Sequence, residues 1–453
     1  MSLPSAVAPA REPFSLLTRL HVDPEMQELF SEDRSIADWL RVEGALAEAQ
    51  AALGHISARE CDAVLAALET AIDRDALWRD AANVGYPILG LVRAVAAAIP
   101  ASVPERVHYG ATTQDIMDTA LALALRDALG RLQELVDELG EALASLAAAH
   151  RGTVMPGRTH AQQAVPTTLG AKLAVFVAQL ARHRERLEQA LPRIAVLSLH
   201  GAGGTSAALG PESTALRTHM ATQLGLRADD VPWHVARDGV VEFGQLCTQL
   251  AATTARLARE VIDLSRTEVG EVSEASGHHR GASSTMPQKR NPIGSEAVIG
   301  LAVTAQALAA ALPRAAEAGH ERAAGEWQVE WHVLPQVACL TAAALRGAAE
   351  VVAGLDVDPA AMQRNLHADG GLIMAEAYMI ALAPTLGRQQ AHDVVYAAAQ
   401  DVRLRALTLE EAVRERCGAL EDVGALPTSG DYVGSAPAVC DTALTTWRTG
   451  RTR

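Results

Sequence analysis

A regular stripe of apolar residues in the middle of this 453-residue chain constrains its fold more than any other feature. Between residues 125 and 146 the spacings alternate between four and three, which places the stripe on one face of an α-helix. Its members are Leu125, Leu129, Leu132, Val136, Leu139, Leu143 and Leu146. Thr112 and Asp115 fit a capping box at the start of this helix. We therefore expect one helix from Thr112 to His150, roughly 58 Å long at 1.5 Å per residue.

The same pattern returns four times further along the chain. We expect helices over 169–191, where Pro192 ends the pattern, over 243–264, over 297–312, where Pro313 ends it, and over 334–355. Helices this long exceed the width of a small domain, so they are stable only when their apolar faces pack on one another, within the chain or across subunits. Strand patterns are scarce. The predicted fold class is therefore all-α, with an extended bundle of long helices.

Two changes in pattern suggest domain boundaries. The first ~110 residues show shorter helical segments, and the segment from Leu355 to Pro359 interrupts the long-helix region. Shorter helices punctuated by glycine and proline follow. We expect three domains: 1–110, 111–355 with the long helices, and 356–453.

The composition limits the possible functions. A net charge of −15 argues against a general nucleic-acid binder, and it requires a local basic pocket for any anionic substrate. The five cysteines are odd in number and widely spaced, which is typical of reduced thiols in a cytoplasmic protein. No basic region followed by an apolar core marks a signal peptide. The apolar run 297–312 is short for a membrane span and is interpreted as a buried helix, so we expect no membrane association.

The segment from Gly281 to Pro292 is the most informative for chemistry. It reads Gly-Ala-Ser-Ser-Thr-Met-Pro-Gln-Lys-Arg-Asn-Pro and lies between the third and fourth long helices. Its small residues allow close approach to a ligand, and its N–H groups, Lys289 and Asn291 suit an anion. By composition alone, a polar loop rich in turn residues is the favoured interpretation.

This segment resembles the signature G-S-S-x-M-P-x-K-x-N-P of the fumarase/aspartase superfamily, with Ala282 where the family usually has glycine. The resemblance implies that Ser283 is the catalytic base at a carbon next to a carboxylate. It also implies that Lys289 and Asn291 hold that carboxylate as it gains charge, with Ser284 and Met286 as further substrate contacts. A serine needs adjacent positive charge and N–H donors to act as a base. One preorganised donor typically contributes on the order of 3 kcal/mol.

The segment from Gly157 to Gln163 is similar to the superfamily's G-R-T-H-x-Q motif. A lone histidine is more often structural. The resemblance instead implies that His160 handles a proton, paired with Glu296, which follows the signature lysine by seven residues. A carboxylate partner sets the tautomer of an imidazole and raises its pKa. Arg158, Thr159 and Gln162 are then substrate-binding candidates, and their positions are given by the motif alone.

Two more segments match the superfamily. Thr112 and Thr113 are expected to hydrogen-bond a substrate carboxylate, which is compatible with a helix cap because a helix N-terminus is a natural anion site. The loop 201–205 follows a helix, so it is no dinucleotide fingerprint. It resembles a superfamily loop that lies against the substrate, with Thr205 as a contact.

The segment from His320 to Trp331 has the form H-E-R-x-x-G-x-W-x-x-E-W. An exposed charged loop is the plain interpretation. Within the superfamily it resembles the 3-carboxy-cis,cis-muconate cycloisomerase branch. In that branch Arg322 would be a bidentate clamp for a carboxylate.

The resemblance covers nearly the whole chain and implies an architecture. It predicts three helical domains in a cytoplasmic homotetramer with a twenty-helix core, each active site being shared between three subunits. The expected ligand is a small polycarboxylate, and no metal or cofactor is implied. The branch reaction closes a lactone in aromatic catabolism. The alternative is β-elimination of the adenylosuccinate, argininosuccinate or substituted-succinate type, which retention of both His160 and Glu296 favours.

Two interpretations from other protein classes are weaker. Glu105/His108 and Glu317/His320 are Glu-x-x-His pairs of the kind found in di-metal bundles. Pro104 and Gly319, however, place neither pair well inside a helix. A non-catalytic scaffold is also conceivable for a superfamily member, and the complete set Ser283, Lys289 and His160 argues against it.

Overall fold

The computed structural model describes residues 15–275, 277, 280–282, 285–286, 288–322, 325–418 and 425–450. These residues form α-helices, three short 3₁₀ turns and connecting loops, with two small two-stranded sheets. The helices are α1 (Ser15–Thr18), α2 (Pro24–Leu29), α3 (Glu32–Ala52), α4 (Ala58–Leu68), α5 (Arg74–Val84), α6 (Ile88–Ala98), α7 (Thr113–Ala149), α8 (Leu169–Ile194), α9 (Ser213–Leu224), α10 (Asp238–Ser265), α11 (Ile293–Ala309), α12 (Glu326–Ala353), α13 (Pro359–Asn365), α14 (Ala375–Leu386), α15 (Arg388–Arg405), α16 (Leu409–Cys417) and α17 (Ala436–Thr449).

The two sheets are antiparallel. β1 (Val154–Thr159) pairs with β2 (Gln162–Thr168), and β3 (Val272–Ser273) pairs with β4 (Asp356–Val357). The β1–β2 hairpin directly precedes α8, and β3 lies just before the signature segment. The mainly α-helical fold class predicted from the sequence is confirmed.

The five long helices are those that the apolar stripes predict. The stripe of α7 is buried from Leu125 to Leu143, with Leu146 half-buried. The predicted end of α8 at Pro192 is wrong, because the helix continues to Ile194. A proline removes one N–H donor, and in the last turn of a helix that loss is small. α11 begins at Ile293 and ends at Ala309, four residues before Pro313.

The chain divides into two compact units, and the long helices contribute residues to both. Unit 1 comprises residues 1–134, 185–252 and 301–343, and unit 2 comprises residues 135–184, 253–300 and 344–453. A core of unit 1 is built around Leu46, Leu123 and Leu199. A core of unit 2 is built around Ile373 and Val413. The three-domain division stays a prediction.

Two helical segments, Ile293–Glu317 and Glu326–Ala353, are long and apolar enough to cross a membrane by length and composition alone. Core helices of soluble proteins share this composition. In the second segment, 56% of the most apolar stretch is buried inside the protein. The five cysteines are free thiols, as the sequence predicts.

Candidate active site

The signature segment forms a loop whose two ends are held together. The Asn291 N–H donates to the Gly281 carbonyl at 3.0 Å, and Ala282 pairs with Arg290 as an antiparallel bridge. Gly281 has a φ of +67°, and a Cβ there would lie 2.6 Å from the Asn291 carbonyl oxygen. Only glycine fits this position. Ser283, the predicted base, and Ser284 lie outside the described residues.

Ala282 departs from the usual superfamily signature, and its surroundings explain why this is tolerated. It takes part in the bridge with Arg290, where the backbone is extended. It is not among the residues with positive φ. An extended position makes no special demand for glycine, so alanine fits without strain.

An open cleft of about 980 Å³ in unit 2 brings together several of the predicted residues. Met286, Lys289, Asn291 and Glu296 all line it. Arg266, Arg280 and Arg290 add positive charge at its surface, and Glu274, Asp356 and Asp358 add negative charge. Lys289 is exposed and has no ion pair among the described residues. Its ammonium group is therefore available to an anion in the cleft.

Glu274 fixes the end of the signature segment, where α11 begins. Its carboxylate accepts hydrogen bonds from the N–H groups of Gly294 at 3.0 Å and Ser295 at 2.8 Å, and from the Ser295 hydroxyl at 2.7 Å. It thus caps the helix and occupies its anion site. Glu296 lies in the first turn of this helix and is exposed.

The G-R-T-H-x-Q motif occupies the β1–β2 hairpin, with His160 at its tip. His160 and Ala161 form a two-residue turn between the paired residues Thr159 and Gln162. Their φ angles are +51° and +61°, as in a type I′ turn, which usually contains asparagine or glycine. Non-glycine residues in this region store about 1–3 kcal/mol each, and such strain concentrates at functional sites. The turn presents the imidazole to solvent.

Arg158, in the same hairpin, has a strong structural partner. Its two Nη atoms donate to the Glu271 carboxylate at 2.6 and 2.9 Å, and the Glu271 side chain is fully buried. Asn365 also donates to this carboxylate, at 2.8 Å. The bidentate pair neutralises the arginine and anchors the hairpin, so the geometry favours a positioning role. Its predicted role in substrate binding stays a prediction.

The predicted pair His160 and Glu296 is not formed within one chain. Both side chains are exposed, and no hydrogen bond or ion pair joins them in the part of the chain that the structure describes. Thr159 and Gln162 are likewise exposed beside His160. The pairing stays a prediction.

In unit 1, Asp115 joins the start of α7 to the glycine-rich loop. Its buried carboxylate accepts from the N–H groups of Thr112 at 3.0 Å and of His200 and Gly201 at 2.9 Å each. The His234 ring is a fourth partner, at 2.8 Å. This gives the carboxylate half of the predicted capping box. The same carboxylate fixes the loop in which Thr205 is exposed.

These contacts control ionisation around the helix start. Burial alone would raise the pKa of Asp115, but hydrogen bonds from His234 and backbone N–H groups lower it. Burial, together with the nearby Arg217, lowers the pKa of His200 to about 4. At neutral pH Asp115 is therefore a carboxylate and His200 a neutral imidazole. Thr112 and Thr113 remain half-buried at the helix start.

Arg322 lies in the loop before α12, and its Nε donates to the Gln114 side-chain oxygen at 2.7 Å. Gln114 is buried in the first turn of α7. The structure therefore brings Arg322 together with the segment that contains Thr112 and Thr113. The Nη2 atom of Arg322 is buried and has no hydrogen-bond partner among the described residues.

A charged cluster deep in unit 1 is a feature that the sequence analysis missed. Arg237 donates to Asp118 at 2.8 Å and to Glu330 at 2.7 Å, and all three side chains are about 1% exposed. Burial raises the pKa of Asp118 and of Glu330, and the guanidinium opposes the rise. The cluster joins α7 to α12. Its Asp118 lies one turn of α7 after Gln114, the residue that contacts Arg322. The available signal was Asp118 itself, the only charged residue of α7 between Asp115 and Arg126.

The Glu-x-x-His pairs show no metal-binding geometry. Among the residues that the structure describes, no group of three or more His, Cys, Asp or Glu side chains is placed to hold a metal ion. The imidazole of His108 meets Glu43, at 2.6 Å, rather than Glu105.

Long helices thus carry a tied loop and a cleft lined by charges of both signs, an arrangement compatible with a lyase of mainly α-helical fold. The model of a family described as "Lyase" matches residues 20–307. A 3-carboxy-cis,cis-muconate cycloisomerase of Pseudomonas aeruginosa is 40% identical, over 92% of this chain and 93% of its own length. An N-acetyl-S-(2-succino)cysteine lyase of Dickeya dadantii is 32% identical, over 93% and 94%.

A solved structure agrees with these relatives. The 3-carboxy-cis,cis-muconate lactonizing enzyme of Pseudomonas putida superimposes with a TM-score of 0.90 at 36% identity, over 96% of this chain and 100% of that one. The chain belongs to the lyase family of the fumarase/aspartase superfamily.

Proposed function

We propose that this protein is a 3-carboxy-cis,cis-muconate cycloisomerase that works through a serine at a carbon next to a carboxylate. The observation that carries this proposal is the cleft in unit 2, where Lys289, without a counter-ion among the described residues, and Asn291 lie at one end of the tied loop. That loop contains Ser283 in sequence. The names of the relatives that align over nearly the whole chain support the choice of substrate.

The proposed reaction consumes one proton from solvent and no other co-reactant. One carboxylate oxygen of the substrate forms a bond to an alkene carbon, and the π electron pair moves through the neighbouring carbon onto its carboxylate. That carbon then takes a proton from the Ser283 hydroxyl, and solvent restores the proton of the serine. In reverse, Ser283 removes that proton, the electron pair moves onto the adjacent carboxylate, and the carbon–oxygen bond breaks. The dianionic carboxylate formed on the way is stabilised by Lys289 and Asn291. A substrate with three carboxylates also needs further donors, for which we propose Thr112, Thr113 and Arg322.

The other predicted site residues, His160 and Glu296 among them, are proposed to complete active sites of neighbouring subunits in a homotetramer. Single-chain exposure of apolar side chains on the long helices supports an assembly, with Val175 49%, Ile293 38% and Val303 51% exposed. Exposure of both His160 and Glu296 also fits sites shared between subunits. We propose the twenty-helix core and the three-subunit active site on this basis. We also propose a cytoplasmic location, to which the free thiols are suited.

A β-elimination lyase acting on a substituted succinate is the second candidate. The strained hairpin tip that exposes His160 favours it, because a proton donor near the leaving group is required when an amine or thiol leaves. The relative named N-acetyl-S-(2-succino)cysteine lyase supports the same choice. In this reaction Ser283 keeps its role, and the product is fumarate or a related unsaturated acid.

One assay separates these candidates. Absorbance changes with 3-carboxy-cis,cis-muconate are compared with those of adenylosuccinate, argininosuccinate and small substituted succinates. Turnover of the muconate supports the first proposal, and turnover of the succinates alone replaces it with the second. Ser283→Ala should lose most turnover while the oligomer persists. Its matched control is Ser102→Ala, at an exposed serine that contacts Arg59.

Subunit mixing tests the shared site. Variants at His160 and at Ser283 are each expected to be inactive. Refolded mixtures of the two should regain part of the activity, because some sites then contain both intact residues. A mixture that exchanges subunits and stays inactive contradicts the shared-site proposal.

A further inference from the structure

Gln114 connects a predicted substrate-binding arginine to the buried part of unit 1. It is 1% exposed in the first turn of α7. Its side-chain nitrogen donates to the His234 carbonyl at 2.9 Å and its side-chain oxygen accepts from Arg322 Nε at 2.7 Å. The same amide also opposes the rise in the pKa of Asp118 that burial causes. Every polar atom of the Gln114 side chain is therefore engaged.

The orientation of this amide follows from its neighbours. The His234 carbonyl and the Asp118 carboxylate are acceptors, so the NH₂ end of Gln114 must face them. Its oxygen then has to face Arg322, which has only donors. In the reverse orientation the Gln114 oxygen would face the His234 carbonyl, which is also an acceptor. Its NH₂ group would face the Arg322 guanidinium, which is also a donor. The environment thus fixes which atom of Gln114 meets the arginine.

The neutrality of Gln114 has an electrostatic consequence for Arg322. Arg158, by contrast, is held by the Glu271 carboxylate, which cancels its charge locally. The only hydrogen bond of Arg322 among the described residues is to a neutral oxygen, and its Nη2 has no partner there. A buried charged donor left unpaired is unfavourable, so this guanidinium retains both its full charge and an unmet need for an acceptor.

We propose that Gln114 is a positioning residue that holds Arg322 through a neutral hydrogen bond, keeping the charge of the guanidinium available to a substrate carboxylate distant from the reacting carbon. The inference rests on the proposed role of Arg322 in substrate binding. It assigns to Gln114 a role in affinity for polycarboxylates, acting through the arginine rather than by contact with the reacting atoms.

Calorimetric binding of tricarballylate and succinate, two unreactive carboxylates, tests this without turnover. Gln114→Glu places an anion beside Arg322, and Gln114→Met removes both ends of the amide. Each should weaken tricarballylate binding about 10- to 100-fold, the range of a charge-assisted hydrogen bond. Arg322→Met should weaken it at least as much, and succinate binding should change less. Gln27→Glu, at an exposed residue of unit 1, adds the same charge as a control.

Two readouts separate positioning from a merely structural role. In a double-mutant cycle, Gln114→Met should add little to Arg322→Met, because both remove the same interaction. In Gln114→Glu, binding relative to wild type should recover as the pH falls, because a protonated glutamate can donate to His234 and accept from Arg322 as the amide does. Asp118 and Arg237 also face this position, and the Arg322→Met background reports their contribution.

The possible failures are distinguishable. Additive losses in the cycle, or no recovery at low pH, overturn the positioning role of Gln114. Unchanged tricarballylate binding in Arg322→Met overturns both this role and the proposed role of Arg322. The expected binding pattern without turnover of 3-carboxy-cis,cis-muconate supports the positioning role and rejects the proposed reaction.

Discussion

Replacement of Asp115 by asparagine should disturb at once the two segments of unit 1 for which contact with the substrate is predicted. The carboxylate joins the Thr112 segment to the glycine-rich loop through four donors: the N–H groups of Thr112, His200 and Gly201, and the His234 ring. Asparagine has the same shape, but it offers only one accepting oxygen and brings two donors of its own. The variant therefore tests the network with little change in packing.

The magnitude follows from how the amide can be accommodated. If its oxygen faces Thr112 and Gly201, its NH₂ group faces the His234 ring, which can change tautomer and accept. The NH₂ group also faces the His200 N–H, and that donor loses its partner. One orphaned buried donor costs about 1–3 kcal/mol. The remaining bonds lose their charge assistance, partly offset by the smaller cost of burying a neutral group. We expect a local destabilisation of about 2–4 kcal/mol.

Hydrogen exchange measured by mass spectrometry locates this loss. A local opening that is easier by about 2–4 kcal/mol exchanges roughly 30- to 700-fold faster, since a factor of ten corresponds to about 1.4 kcal/mol. The effect should be confined to peptides covering residues 108–116 and 197–206. Displacement of both segments by about 1 Å should also lower kcat/KM about 100-fold.

Asp127→Asn is the matched control, because Asp127 lies on the same helix in partly exposed ion pairs with Arg34 and Arg126. Its cost should stay below about 1 kcal/mol. The lowered pKa of Asp115 adds a second check. Its stabilisation is present above the unfolded pKa of about 3.9 and is lost as the pH falls through the lower folded value. Equal exchange in Asp115→Asn and wild type near pH 7 would refute the reasoning.

Three further predictions concern the surroundings of the site. Glu274→Ala should cost about 1–2 kcal/mol of stability, measured by thermal unfolding, because α11 loses its cap, and Glu274→Gln should cost less because one acceptor remains; equal melting temperatures would contradict this. Burial lowers the pKa of His108, but the Glu43 carboxylate more than offsets this and raises it. Its stabilisation is thus complete below about pH 6.5 and is lost as the pH rises through the folded pKa, so the melting temperature of His108→Gln should depend less on pH between 6 and 9 than that of wild type. Burial raises the pKa of Cys247 to about 12 and that of Cys339 to about 11. Both thiols should therefore resist a disulfide reagent in the native enzyme and react after denaturation. Rapid labelling of the native enzyme would contradict the packing around these two thiols.

The long helices could be predicted because the residues that they bury recur every three or four positions in the sequence. The stripe predicts α7 itself, and the threonine and aspartate of the cap predict the start of this helix to within one residue. The β1–β2 hairpin was missed. Its strands contain Pro156 and Pro166, which argue against a strand, but the two prolines lie opposite one another in the register. There neither is required to donate a ladder hydrogen bond, so the hairpin tolerates both.

Residue identities at the site could be predicted from motifs, but their partners could not. Glu271 lies 113 residues from Arg158, and Gln114 lies 208 residues from Arg322. No local pattern reports such contacts. Only part of the role of Asp115 could be predicted. Its capping position follows from the sequence, whereas its hydrogen bonds to the glycine-rich loop depend on the fold.

Counter-ions decide which cations of the site can serve a polycarboxylate. The chain carries a net charge of −15, so its overall field repels such a substrate, and local positive charge must be left uncompensated to bind it. Arg158 is neutralised by a buried carboxylate, whereas Arg322 is held by a neutral amide and Lys289 has no ion pair among the described residues. A sequence motif treats these three residues alike. The structure separates them by counter-ion: among the described residues Lys289 and Arg322 have none, which supports their proposed roles, whereas Arg158 is paired with Glu271.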